Sequence, residues 1–165
     1  EIVDMYGVNV TRWAVISTHY RAPINFSSEV MESATKEVNK IIEPLRQANI
    51  KLQLNNVNSK EVDNELIDKF VDTLLDDLNT SNAQTVVFEV TKLLNQSLRG
   101  KDFNLLAKYY NTLKECVGIL GLVFNERELS LEDKVLFNKW NEFKANKDFN
   151  SADEVRKILM ERNLL

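Results

Sequence analysis

Asp102-Phe103-Asn104-Leu105-Leu106-Ala107-Lys108-Tyr109-Tyr110-Asn111-Thr112-Leu113-Lys114-Glu115-Cys116-Val117-Gly118-Ile119-Leu120 is the stretch that decides the fold. Phe103, Leu106, Tyr110, Leu113, Val117 and Leu120 recur at spacings of three and four, which puts them on one face of a helix. In a strand the same residues would fall on both faces. Asp102 supplies a side-chain oxygen for the free N–H groups of the first turn. Gly118 and Gly121 mark the end. Cys116 borders the stripe. With no His near it in sequence, the only cysteine reads as a small buried thiol and not as a nucleophile.

The same period extends in both directions. Before it, Ala83, Val86, Val87, Val90, Leu93, Leu94 and Leu98 form a stripe opened by Thr80 or Ser81 and closed by Gly100. Earlier still, Leu66, Phe70, Leu74 and Leu78 line a helix that stops at Asn79. Asn58 and Glu61 have the spacing of a capping box at its start. Met31, Ala34, Val38, Ile41 and Leu45 form another stripe, which Pro44 should kink or end; Ile50 to Asn58 then reads as a loop. Glu1 to Tyr6 is a helix end stopped by Gly7. Asn9 or Thr11 starts the next helix, with Val10, Trp13, Ala14 and Ile16. After Leu120, the segment from Leu122 to Leu129 is a connector and a domain boundary. Ser130 and Asp133 cap a helix with Leu136, Trp140 and Phe143. A turn at Lys147-Asp148-Phe149-Asn150 leads to a return helix with Val155, Ile158 and Leu159, opened by Ser151 and Glu154.

The pattern predicts an all-α protein: an antiparallel helical bundle with a C-terminal helical hairpin. Three parts follow: a helical connector over 1–24, a bundle over 25–121 and a hairpin over 122–165. Four Gly and two Pro in 165 residues agree with helices and disfavour a turn-rich β fold. No run approaches the ~18 consecutive apolar residues of a membrane span. The start, Glu1-Ile2-Val3-Asp4, lacks Met, so the chain reads as a processed or cut piece of a longer protein. A single cysteine is compatible with a reducing cytoplasm, the expected location. The net charge of −4 argues against a dedicated nucleic-acid binder. Ser130 to Leu165 is balanced, with seven basic and seven acidic residues.

One joint is unusual. Ser17-Thr18-His19-Tyr20-Arg21-Ala22-Pro23-Ile24-Asn25-Phe26-Ser27 holds the only His and one of the two Pro. Pro23 ends the preceding helix, and Ser27 or Ser28 caps the next. Tyr, Arg, Ile and Phe in so short a linker point to docking, and Trp13 and Tyr20 are expected to lie exposed. No catalytic set accompanies it. One His and one Cys far apart give no metal cluster, and no Gly-rich loop exists to cradle phosphate. Asp76 and Asp77 point apart on a helix and read as a charged helix end, not an acid/base pair. Taken alone, the chain is a binding or scaffolding module.

Three motifs add a resemblance. The joint from Thr18 to Ser27, the run Asp76-Asp77-Leu78-Asn79-Thr80, and Lys147-Asp148-Phe149 with Ala152-Asp153 and Arg156 resemble, in order and spacing, the C-terminal half of cysteinyl-tRNA synthetases. That family consists of class I enzymes that activate cysteine with ATP and attach it to tRNA. The resemblance implies an anticodon-binding type of bundle that lacks the catalytic centre and is inactive alone. ATP and zinc are then cofactors of the parent enzyme, held outside this chain. The implied partners are tRNA(Cys) and the catalytic part of the same protein; neither DNA nor a membrane is expected. Anticodon contacts carry over to Lys144, Phe149 and Asp153. Phe149 has a second role open to it, closing the hairpin core, and Asp153 could serve only its helix N-terminus. His19 and Arg21 either touch tRNA or brace the catalytic part. The resemblance departs at Trp140 and Lys144, where the family often has Arg, and the family's short tail beyond the hairpin is not matched. Two other readings stand beside it: a helical protein-interaction module with no RNA role, and part of a related ligase that joins cysteine to an amino-sugar.

Overall fold

The computed structural model describes residues 1–165. It has eight helices and no strand: α1 (Ile2–Tyr6), α2 (Val8–Ile16), α3 (Ser28–Leu54), α4 (Asn64–Leu75), α5 (Thr80–Leu98), α6 (Phe103–Ile119), α7 (Leu131–Ala145) and α8 (Phe149–Glu161). They form two units, Glu1–Glu126 and Arg127–Leu165. No helix is long and apolar enough to cross a membrane.

The core of the first unit is built from the stripes read above. Trp13, Met31, Ile41, Leu45, Phe70, Val87, Val90, Leu94, Leu106 and Leu113 are all fully buried. Each such side chain contributes roughly 1.5–3 kcal/mol by leaving water. Helix α3 packs on α2, α5 and α6, and α5 packs on α4 and α6. Trp13 donates its indole N–H to Glu37 on α3 and meets Phe88 of α5 edge-on. At the other end, Lys51 of α3 donates to the carbonyls of Leu98 and Gly100. Helices α3 and α5 therefore run in the same direction, side by side.

Several local expectations are corrected. Of the two expectations for Pro44, a kink or an end, the end is overturned: α3 continues ten residues beyond it, to Leu54, so Ile50–Leu54 is helical and not loop. An interior Pro costs about 3 kcal/mol, but Leu45, Ala48, Ile50 and Leu52 are buried past it and offset that cost. Helix α4 starts at Asn64 with Asp63 as its cap, not at Asn58. The residues between are held extended by α6: Asn111 donates to the carbonyls of Ser59 and Glu61, and Asp63 N–H donates to the Thr112 hydroxyl. That crossing carries the chain past α3, so α3 and α4 are not packed as successive antiparallel neighbours. Gly7, at φ 82°, serves as both the stop of α1 and the cap of α2, which begins at Val8. Asn79, not Thr80 or Ser81, caps α5. Trp13 is fully buried and not exposed, because α2, α3 and α5 enclose it within this chain.

Two ties close the first unit. Asn9 and Val123 exchange side-chain and backbone hydrogen bonds at 2.7 and 2.8 Å. Arg12 donates to the carbonyl of Gly121. Gly121 sits at φ 77°, a conformation that favours glycine, and a Cβ there would displace the Arg12 guanidinium from its bond to the Gly121 carbonyl.

The second unit is a helical hairpin whose core is Leu129, Phe137, Ala152, Val155, Leu159 and Leu164. Ser130 and Asp133 form a complete capping box, and Arg162, just past the end of α8, pairs with the buried Asp133 at 2.9 Å. Burial pushes the Asp133 carboxyl up, but Arg162 and the Ser130 N–H outweigh it and hold it below the usual range. Helix α8 opens one turn earlier than the Ser151–Glu154 spacing suggests. Asp148 is its cap and accepts from both the N–H and the hydroxyl of Ser151.

Candidate functional site

The joint closes onto the turn between α4 and α5. Tyr20 donates its hydroxyl to Asp77 at 2.8 Å. Arg21 donates to the same carboxylate at 3.1 Å and to the Tyr20 oxygen at 2.8 Å. His19 stacks on the Tyr20 ring, and its Nε2 lies 3.7 Å from Asp77. Ser81 donates to the carbonyl of Ser17. The Asp77 hydrogen bond pushes the Tyr20 phenol up, partly countered by Arg21. Two of the three motifs singled out in the sequence thus meet on one carboxylate. His19 and Arg21 are placed as braces of this turn within the chain itself.

The turn is built at a conformational cost. Asp77 and Leu78 are consecutive non-glycine residues at φ 51° and 52°. An ordinary L-residue pays roughly 1–2 kcal/mol in that left-handed region, and Asp or Asn pays least. Backbone bonds from Leu78 N–H to Leu74 and from Asn79 N–H to Asp76 hold it. Leu78 is 60% exposed, as are much of Leu75, Tyr20, Ile24 and Phe26. The apolar residues of the joint therefore find no full cover in this chain.

The third motif forms the tip of the hairpin. Lys147 turns the chain at φ 59°, and Asp148 N–H donates to the carbonyl of Phe143. Phe149 is then the first residue of α8 and stands 65% exposed, so it does not close the hairpin core. Asp153 is exposed one turn further along, four residues on and so on the same face. Lys144 lies in the last turn of α7, with its ammonium 3.4 Å from the centre of the Trp140 ring. A cation over an aromatic face at that distance is held electrostatically. Trp140 thus seats Lys144.

Residues 69–125 match the DALR domain. Along its whole length the chain is similar to proteins named cysteine–tRNA ligase: 32% identical over 174 residues to that of Bacillus cytotoxicus, covering 100% of this chain and 37% of the relative. The relative from Clostridioides difficile is 30% identical over 183 residues, covering 100% and 38%. That from Mesoplasma florum is 30% identical over 164 residues, covering 97% and 37%. The chain is similar to these ligases along its whole length. It spans little more than a third of the length of these relatives.

The residues present do not fit the zinc of such a ligase. Cys116 is fully buried and its thiol is pushed up to about 12 by burial. His19 faces Asp77 from the joint, and no three His, Cys, Asp or Glu side chains come together as a metal-ligand group. Sequence reasoning missed two residues of this site. Asp77 read as an ordinary helix end, because its partners lie 56 and 57 positions away and no local spacing reports them. Trp140 read as core. Its spacing of four from Lys144 was the available signal.

Proposed function

We propose that this chain gives a cysteine–tRNA ligase its contacts to tRNA(Cys), with the hairpin tip reading the anticodon. The parent protein, on this reading, activates cysteine with ATP, uses zinc outside this chain and works in the cytoplasm; the fragment alone is inactive. Residues 1–24 serve as the connector toward the catalytic part, 25–121 as the bundle and 122–165 as the anticodon-proximal hairpin.

The observation that carries the reading is the outward aromatic at the tip. A hairpin with a small core ordinarily buries its Phe, and this one presents Phe149 to solvent. Anticodon loops are single-stranded, and their bases stack on exposed rings. Asp153, on the same face, accepts from a base amino group. Lys144, seated on Trp140, meets a phosphate or base oxygen. His19 and Arg21 act indirectly, by fixing the joint on Asp77.

The test is a filter-binding assay with tRNA for cysteine and the same tRNA carrying an altered anticodon. The expected result is weak, salt-sensitive binding that prefers the native anticodon. Phe149→Ala and Asp153→Asn should erase the preference, each at a cost of about 1–3 kcal/mol. Equal affinity for both RNAs, unmoved by either substitution, would overturn the assignment.

A further inference from the structure

We propose that the groove between α3 and α5 binds the phosphodiester backbone of RNA without reading its sequence. This rests on the chain being an RNA-contacting module and places a second contact surface on the first unit, in addition to the anticodon-reading tip of the second.

The groove encloses about 930 Å³. Lys36 and Lys40 line it from α3, Lys92 from α5 and Arg99 from the residue that caps the end of α5, with Asn39 and Asn95 between them. Spacings of four on one helix and seven on the other put each pair on a single face. All four cations are exposed. None has a carboxylate within ion-pair distance; one acid, Glu43, lines the groove with them, and Glu37, Glu43 and Glu89 each have a partner of their own. Glu37 accepts from Trp13 and Ser33. Glu43 is held by Arg46 and Gln47. Glu89 pairs with Lys69.

A chain of net charge −4 thus gathers four unpaired positive charges along two parallel helices. Like charges so gathered repel one another, and a polyanion relieves that repulsion. The floor is mostly closed, since Pro44 and Thr91 are buried and Phe88 packs on Trp13. No exposed aromatic ring lines the groove for base stacking. Cations and side-chain amides without a stacking ring fit phosphates and not bases. The overall acidity of the chain hides this, because composition averages over faces.

The experiment measures affinity for the cysteine tRNA and for its altered-anticodon counterpart between 50 and 200 mM salt. The variant is Lys36→Gln/Lys40→Gln/Lys92→Gln/Arg99→Gln, at four exposed positions, with folding checked by circular dichroism. Each phosphate contact contributes roughly 0.7–0.9 to the slope of log affinity against log salt. Four contacts therefore make the unsubstituted chain lose about 50- to 150-fold more affinity over that range than the variant does. Both RNAs should be affected equally. Lys36→Gln/Lys40→Gln should remove about half the slope difference, and Lys60→Gln/Lys101→Gln, with the same change in charge, should leave the slope in place. An unchanged slope in the fourfold variant, or an equal drop in the Lys60/Lys101 control, overturns the groove. Loss of anticodon preference with the slope difference intact overturns the hairpin reading instead and leaves the groove standing.

Discussion

Replacing Asp77 separates the two costs gathered at the joint. Asp77→Ala removes the acceptor for Tyr20 and Arg21 and also places an alanine at φ 51°. The side-chain part is modest. Both partners are largely solvent-exposed, and exposed charge pairs contribute about 0–1 kcal/mol. The backbone part is comparable, since alanine pays about 1 kcal/mol more than Asp in this region. The expected loss is therefore about 1–2 kcal/mol. Asp77→Gly loses the contacts but relaxes the backbone, and should cost about 0.5 kcal/mol or less. Asp77→Asn keeps the backbone preference and part of the acceptor, and should fall between them. In a unit of this size, 1 kcal/mol moves the melting temperature by about 3–5 °C. Each unit holds one tryptophan, Trp13 in the first and Trp140 in the second. In a Trp140→Phe background, the thermal transition followed by Trp13 fluorescence reports the first unit alone. The ranking should be Ala worst and Gly mildest, with the Asn deficit shrinking in about 1 M salt, where exposed charges are screened. Equal losses for Ala and Gly would refute the backbone argument; no loss for Ala would refute the joint as a brace.

Three further outcomes are expected. The Tyr110 hydroxyl is buried without a partner, and burial pushes its phenol up to about 12; Tyr110→Phe should therefore raise the urea midpoint, by up to about 1–3 kcal/mol in stability. Folding lowers the Asp133 carboxyl, so its contribution is present above the ordinary carboxylate value near 3.9 and fades as pH falls through the folded one. Asp133→Asn should weaken the second unit by about 1–2 kcal/mol at neutral pH and flatten its acid unfolding below about pH 4, read by Trp140 fluorescence. Cys116, buried with its thiol near 12, should resist Ellman's reagent at pH 8 in the folded chain and react fully in denaturant.

What the residues disclosed in advance was the periodic part. Phe103 to Leu120, Ala83 to Leu98 and Met31 to Leu45 each carried enough apolar spacing to define a face, and each face is buried. Helix ends were less legible. At Asn58 and Ser151 a local cap pattern was present, but Asn111 and Thr112 held the first segment extended, and Asp148 captured the second cap one turn earlier. Pro44 misled because its penalty is local while the burial that offsets it lies beyond it along α3. For the candidate site, the motifs were readable and their meeting was not. Nothing in the spacing of His19, Tyr20 and Arg21 announces a carboxylate more than fifty residues on. The α3–α5 groove was hidden for the same reason: its charges come from two stretches whose proximity only packing reveals.

The reciprocal bonds between Asn9 and Val123 also bear on how such a protein can be assembled. They put the places where the polypeptide enters and leaves the bundle side by side, though well over a hundred residues intervene. A body whose entrance and exit coincide behaves as a cassette. It can be grafted into a host, or excised and its stumps rejoined, with little disturbance on either side. Lineages could thus exchange or trim this helical body without rebuilding the machinery it adjoins.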